Sequence, residues 1–182
     1  SLFGSLFSAI NLNVKKGYSA MKFFEHGNVF RKIKNGFAQE SNISGLIYFH
    51  ESQKTWSDKS LQYDFYSLKA EVLQLLETLR VKSIKLVPNS SSMIFTVNAM
   101  DIFAGKRKIG MLGEINPTAT QKLIKNPAFG FEIYPEKIST KSSTLKLKPV
   151  SKFPSSSRDL NILINKSYSY AEIETVLLNS KI

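Results

Sequence analysis

Residues Met93 to Pro117 read MIFTVNAMDIFAGKRKIGMLGEINP, and their apolar pattern decides the fold class of the chain. The segments Met93 to Val97, Ala99 to Phe103 and Lys108 to Glu114 each predict a strand. Ala104-Gly105-Lys106 offers a hairpin turn between the last two. Strands in such close succession favour an antiparallel sheet over an alternating parallel one.

The sequence around this stretch adds further strands. Met21 to Phe24 and Val29 to Phe30 flank His26-Gly27, which predicts a tight strand-turn-strand. The polar segment Arg31 to Asn42 predicts a loop. Apolar runs predict the remaining strands, which are Ile43 to Phe49, Ser83 to Val87 and Phe129 to Tyr134.

Helices are predicted between and beside these strands. Apolar residues at three-and-four spacing predict a first amphipathic helix that ends near Lys16-Gly17. Asp64 can cap a second helix, and Pro117 to Ile124 predicts a short third one. The apolar stripes are Leu2, Leu6, Phe7, Ile10 and Val14, and then Leu68, Val72, Leu75, Leu76 and Leu79. The expected fold class is therefore α+β, with an antiparallel sheet faced by helices.

A second domain is expected towards the end of the chain. Residues 135–148 hold lysines among Ser and Thr and predict a linker between a domain of residues 1–134 and one of residues 149–182. In the second domain, Arg158 to Ile164 predicts a strand and Tyr170 to Leu178 an amphipathic helix. One strand and one helix leave a sheet edge unpaired, so we expect this domain to be incomplete. The start at Ser1 likewise predicts a chain cut from something longer.

Five short motifs occur in an order that resembles one protein family. No single motif is specific, but five in the right order along nearly the whole chain are hard to obtain by chance. They are FFEHGNVF with Phe24, Glu25, Gly27 and Phe30; SGLIYF around Gly45 and Leu46, followed by Trp56; DFYSLKAEVLQLL from Asp64; IGMLGEINP from Ile109 to Pro117; and PVSKFPSSSRDLNILIN from Pro149 to Asn165. The chain is similar in these motifs to the beta subunit of bacterial-type phenylalanyl-tRNA synthetase.

The resemblance implies a class II aminoacyl-tRNA synthetase-like module without catalytic equipment, followed by a truncated ferredoxin-like βα unit that begins the anticodon-binding domain. In that family the alpha subunit holds the aminoacylation site, and two alpha and two beta subunits form a heterotetramer. The implied partners are thus the alpha subunit and the tRNA for phenylalanine, in the cytoplasm. The whole enzyme uses ATP and magnesium, and no cofactor is implied for this segment. The family's editing site and magnesium ligands lie upstream of Ser1.

Two positions depart from the family pattern. Between Val87 and Val97 the family shows a His-Pro-Gly-Arg-Ser-Ala-like turn, whereas this chain keeps only Pro88 and small polar residues. The role of that turn is therefore not carried over. Ala70 replaces a glycine after the lysine of the Asp-Phe-x-x-Leu-Lys element, which only improves helix propensity.

Composition limits the classes of protein to consider. A chain of 182 residues with 42% hydrophobic residues can bury a core, and the lack of cysteine excludes disulfides and thiolate chemistry. No apolar run reaches the roughly 18 to 20 residues that span a bilayer, so no membrane partner is expected. The net charge of +11 suits an RNA partner, but a lysine-rich surface that binds nothing in particular is an equally good reading of composition alone.

No catalytic residue is predicted. His26 and His50 lack a nearby carboxylate arrangement, and a hairpin and a strand end explain the glycines at 105, 110 and 113 better than a phosphate loop does. Trp56 and the Asp64-Phe65-Tyr66 run could bind a ligand, but we weight core closure about four to one. Glu25 and Glu114 are read as structural carboxylates.

Lys152 and Arg158 are the predicted tRNA-binding residues, because both lie beside Pro154 at the entry of the second domain and suit phosphate contact. Arg158 and Asp159 could instead orient the first strand of that domain. Two functions from other classes stay open at this point. One is a stand-alone basic RNA-binding protein, and the other is a protein-interaction module with an exposed apolar patch.

Overall fold

A computed structural model describes residues 1–49, 63–96, 98–120, 124, 126–138, 154 and 156–180. The chain divides into two compact units, Ser1–Ser142 and Ser143–Ile182. None of the helices in the described ranges is long and apolar enough to cross a membrane.

The first unit is built on a six-stranded antiparallel sheet with the strand order β1-β2-β6-β5-β4-β3. Its elements are α1 (Phe3–Lys15), β1 (Ala20–Ile33), β2 (Gly36–Phe49), α2 (Phe65–Thr78), β3 (Ile84–Pro88), β4 (Met100–Ala104), β5 (Arg107–Glu114), β6 (Ala128–Ile133) and a 3-10 turn (Pro135–Lys137). The predicted α+β class and antiparallel sheet are thereby confirmed.

The helices α1 and α2 cover opposite faces of this sheet. Successive strand residues point to opposite faces, so in β2 Leu46 joins the cluster around α1 while Ile47 joins the cluster around α2. The α1 cluster is centred on Phe3 and Ile10, and the α2 cluster on residues such as Leu68. The sheet is therefore the middle layer of three, and each helix buries most of its predicted apolar stripe against it.

Asp64 caps α2 as the sequence predicts. Its carboxylate accepts a hydrogen bond of 2.8 Å from the backbone N–H of Ser67, and the Ser67 hydroxyl faces the backbone N–H of Asp64 in return. Leu68, Val72 and Leu76 are buried on one side of the helix. The stripe ends before Leu79, which follows the last helical turn and is exposed.

The largest correction concerns the long β1–β2 hairpin. It pairs without interruption from Ala20 opposite Phe49 to Ile33 opposite Gly36, so the predicted turn at His26-Gly27 and the predicted loop over Arg31 to Asn42 are both wrong. Exposed and half-buried residues alternate along β1, and a strand with one exposed face accepts polar residues. The turn lies at Lys34-Asn35 instead, where Gly36 adopts a φ of 127° that other residues rarely reach.

Two shorter predictions in the first unit are also wrong. No strand forms over Met93 to Val97 in its described residues, where Phe95 makes only an isolated bridge to Ile115. The Ser92 hydroxyl accepts hydrogen bonds from the N–H groups of residues 94 and 95 and so competes with strand pairing. The helix predicted at Pro117 to Ile124 is a turn over its described start, Pro117 to Thr120, and residues 121–123 lie outside the described part.

The second unit contains α3 (Tyr170–Asn179), which confirms the predicted helix. Ser169 and Glu172 form a capping box at its start. The strand predicted for Arg158 to Ile164 is wrong, since these residues form no strand and pair with none in the described part of the chain. A strand needs a hydrogen-bonded neighbour, and the sequence predicts no second strand in this unit that could pair with it.

Candidate functional site

Of the two predicted tRNA-binding residues, Lys152 lies outside the described residues. Arg158 is exposed in the irregular segment that precedes α3 in the second unit, and its guanidinium donates a 3.3 Å hydrogen bond to the Ser157 carbonyl. The neighbouring Asp159 is exposed as well. Arg158 therefore presents its charge to solvent, which is the geometry that a phosphate contact requires.

The carboxylates and the histidine weighed as catalysts have structural partners. His26 Nε2 lies 2.8 Å from the Ser41 hydroxyl on an exposed part of the hairpin. The Ser5 hydroxyl of α1 donates to Glu25, and Asn98 donates to Glu114 at 3.5 Å. His50 and Trp56 lie outside the described residues. Across the described ranges, no group of three or more His, Cys, Asp or Glu could hold a metal ion.

A cleft of about 580 Å³ lies between α2 and the end of the β1–β2 hairpin that is opposite its turn, at Ala20 and Phe49. Lys22 on β1 forms a 2.5 Å ion pair with Glu71 on α2 and lies 5.0 Å from the centre of the Tyr63 ring. Burial, followed by the negative charge of Glu71, raises the pKa of the Tyr63 hydroxyl above its usual value. The described residues of the cleft are thus mainly apolar, with a neutral phenol and a neutralised ion pair at its side, and none of them is a free base.

A polar cluster is buried on the α1 side of the sheet. The Asn42 amide donates a 2.6 Å hydrogen bond to Glu132, and both side chains are buried. Burial, followed by the negative charges of Glu132 and Asp101, raises the pKa of Tyr134 to about 12. These groups link β2 to β6, which is a structural arrangement and not a catalytic pair.

The outer side of the hairpin carries an exposed surface that we call the aromatic face, defined by Phe24, Phe30 and Phe37. These side chains are 79%, 68% and 73% exposed. All three project on the α2 side, because even-numbered residues of β1 share the side of Lys22, which binds α2, and the register places Phe37 opposite Lys32. Both carboxylates of the hairpin, Glu25 and Glu40, project on the other side.

Sequence reasoning missed this aromatic face. It treated Phe24 and Phe30 only as family motif residues and placed Phe37 in a loop. In the structure, exposed and half-buried residues alternate from Ala20 to Phe30, and the exposed set includes large apolar side chains, but this exposure cannot be read from the sequence. An exposed row of three phenylalanines is unusual enough to indicate a binding surface.

Comparison with known proteins agrees with the motifs. The family described as phenylalanyl tRNA synthetase beta chain CLM domain matches residues 1–134. A phenylalanine-tRNA ligase beta subunit of Legionella pneumophila (strain Paris) is 26% identical over 96% of this chain and 22% of the relative. One of Buchnera aphidicola (subsp. Schizaphis graminum) is 29% identical over 97% of this chain and 23% of the relative. The chain therefore spans less than a quarter of these curated relatives.

The fold also has solved counterparts. A pyrrolysyl tRNA synthetase from Desulfitobacterium hafniense matches with a TM-score of 0.54 and 17% identity, over 75% of this chain and 46% of that chain. A second structure of the pyrrolysyl enzyme from the same organism gives a TM-score of 0.52. At this level of identity the likeness shows only that the fold is shared with these two structures.

Proposed function

Because the chain belongs to the phenylalanyl-tRNA synthetase beta-chain family, we propose that it serves the attachment of phenylalanine to its tRNA as part of the enzyme's beta subunit. The observation that carries the proposal is the family match over residues 1–134, together with curated beta-subunit relatives that align along 96% to 97% of the chain. A stand-alone RNA-binding or interaction protein is not favoured, because these relatives are all named as ligase subunits.

The first unit serves as a non-catalytic scaffold and as the interface for the alpha subunit, in an assembly of two alpha and two beta subunits in the cytoplasm. Its candidate catalytic groups support this role, since Glu25, Glu114 and His26 are all engaged in local hydrogen bonds. ATP and magnesium act at the alpha subunit's site, and this segment itself holds no cofactor.

The second unit is the start of a ferredoxin-like anticodon-binding domain. We place the first domain at residues 1–134, the linker at 135–148 and the incomplete domain at 149–182. The division into compact units at Ser142 and Ser143 supports a boundary in this region. Lys152 and Arg158 contact tRNA phosphates, and the exposure of Arg158 supports its part in this contact.

The test is to express the full-length protein with a phenylalanyl-tRNA synthetase alpha subunit and to measure charging of tRNA with phenylalanine. We expect the two chains to co-purify and to charge tRNA. Arg158→Glu should weaken tRNA binding and reduce the salt dependence of the affinity by about one phosphate contact. Arg107→Glu, an equally exposed arginine in the first unit, is the matched control and should bind tRNA like the parent.

The two parts of the proposal fail separately. If the chains do not associate or the complex does not charge tRNA, the assignment of function is wrong. If the complex charges tRNA and Arg158→Glu binds it with unchanged affinity and salt dependence, only the role of Arg158 is wrong.

A further inference from the structure

The aromatic face of the β1–β2 hairpin has no role in the function proposed above. Its three phenylalanines are mostly exposed, so their apolar area is not explained by the core. The register of the β1–β2 pairing shows which residues lie opposite these phenylalanines. Phe24 lies opposite Gly45, and Phe30 lies opposite Gln39. Neither neighbour has a large apolar side chain that could cover a ring, so the rings present open faces.

Phe30 and Phe37 form the centre of the face. The partner of Phe30 in the register is Gln39, and Phe37 precedes Gln39 by two residues on the same side of β2. Such diagonal neighbours lie about 7–8 Å apart, which is within reach for two aromatic rings. The two rings therefore make one platform near the hairpin turn, and Phe24 is a third ring, which lies further from the turn on β1.

The two carboxylates of the hairpin lie on one side of it only. Lys32 lies opposite Phe37 and shares its side, while Lys34 lies in the adjoining turn. Glu25 and Glu40 lie on the other side, where Ser5 donates to the first and Arg31 forms a 3.0 Å ion pair with the second. The aromatic face thus combines open rings with positive charge and carries neither carboxylate of the hairpin.

Uncharged polar groups complete the face. Asn28, Gln39 and Ser41 project on the same side, by the same alternation that places the rings. Amide and hydroxyl groups of this kind hydrogen-bond to base edges and to the sugar of RNA. Rings for stacking, cations for the backbone and amides for the edges are the three components by which sheet surfaces bind unpaired nucleotides.

We propose that the aromatic face binds a single-stranded segment of RNA, with unpaired bases stacked on Phe30 and Phe37 and the backbone held near Lys32. This goes beyond the proposed function, because it places an RNA contact in the first unit, whereas the predicted tRNA-binding residues belong to the second. Positive charge alone would suit an acidic protein as well as RNA, whereas exposed rings on which bases can stack favour RNA. The experiment therefore tests both the charge and the rings.

The experiment measures the affinity of the full-length protein for a fluorescein-labelled single-stranded RNA of twelve uridines by fluorescence anisotropy. The variant is Phe30→Ala combined with Phe37→Ala. Each lost stack should weaken binding by about fivefold or more, so the double variant should lose at least about 20-fold. Ile33→Ala removes a 47% exposed apolar side chain from the opposite side of the same hairpin and should stay within about twofold of the parent.

A second variant separates charge from stacking. Lys32→Glu leaves both rings in place and should weaken binding while reducing the salt dependence by about one contact. Because all three substituted side chains are exposed, the circular dichroism spectrum and the melting temperature should match those of the parent.

Unchanged RNA affinity in both variants, or no RNA affinity in the parent, overturns the proposal. Unchanged RNA affinity with loss of the co-purified alpha subunit also overturns it and identifies the face as a protein interface. Charging of tRNA by the parent complex is measured separately, so failure of the proposed function is recognised independently of RNA binding at this face.

Discussion

Phe3→Ala tests how α1 is held on the sheet. Phe3 is only 2% exposed, and its ring stacks on Phe7 with centroids 5.8 Å apart and meets Phe95 edge-on at 5.6 Å. Beneath it, a Cβ atom added to Gly130 would lie 2.8 Å from Phe3 Cε1. The ring therefore rests directly on the backbone of β6, at a point where no side chain fills the space.

The size of the effect follows from this packing. Truncating a buried Phe to Ala costs about 3–5 kcal/mol, and the cost increases with the cavity that remains. Gly130 has no side chain that could move into the cavity, so we expect a loss in the upper half of this range, about 4 kcal/mol. For a chain of this size, each kcal/mol lowers the melting temperature by about 2–4 °C, which gives a fall of roughly 8–16 °C.

Thermal and urea unfolding of the chain, followed by far-ultraviolet circular dichroism, would measure this loss. Phe24→Ala is the matched control, because the same side chain is removed from an exposed position, and it should change the free energy of unfolding by no more than about 0.5 kcal/mol. The slope of the unfolding free energy against urea concentration should be the same in both variants as in the parent. Equal losses in the two variants would refute the reasoning, since they would show that α1 does not bury Phe3 against β6.

Two further predictions concern polar groups. Asp64→Ala should lower the melting temperature at pH 7 and should match the parent in strong acid, because hydrogen bonds from Ser67 hold the pKa of Asp64 below its usual value. A lowered folded-state pKa gives stability that is present above the unfolded pKa of about 3.9 and lost as the pH falls through the folded pKa. Asn42→Ala should lower the free energy of unfolding by about 1–3 kcal/mol in urea titrations, because Glu132 stays buried without its 2.6 Å donor, whereas Asn98→Ala at the surface should change little.

The parts of the fold that the sequence predicts are those fixed by local chemistry. The stripe of α2 and its Asp64 cap lie within a few turns of one helix, and Ala104-Gly105-Lys106 joins β4 to β5 as a tight hairpin. These features depend on neighbours that are close in sequence, so periodicity and turn chemistry are enough to find them.

The β1–β2 hairpin could not be read in the same way. In the described part of the chain no third strand pairs with its outer half, beyond the pairing of Ile43 with Ile133, and polar residues are frequent there, so this half resembles a loop in composition. His26-Gly27 gives a turn signal in the middle of a continuous strand. Asn35-Gly36, which overlaps the turn at Lys34-Asn35, is the stronger turn signal in the sequence. It can be recognised only if the polar residues on both sides of it are taken as strands.

The candidate binding residues likewise divide into one that local sequence predicts and a group that only strand pairing brings together. Arg158 could be singled out because an arginine beside a proline-rich entry is a local pattern, and the structure places it in solvent. The aromatic face could not, because Phe30 and Phe37 are brought together by pairing across the turn and not by spacing along one element. Which residues share a side depends on the register of that pairing.

The register of the hairpin therefore determines the chemistry of both its surfaces. A slip of one residue moves the side chains of one strand to the other side of the sheet. It would place Glu40 beside Phe30 and would remove Phe37 from the platform, so the face would lose both its second ring and its positive character. The turn at Lys34-Asn35, with Gly36 at a positive φ, and the inner pairing of β2 with β6 hold this register from its two ends. The same constraint that buries Leu46 under α1 thus also sets which side of the outer hairpin can meet an anionic partner.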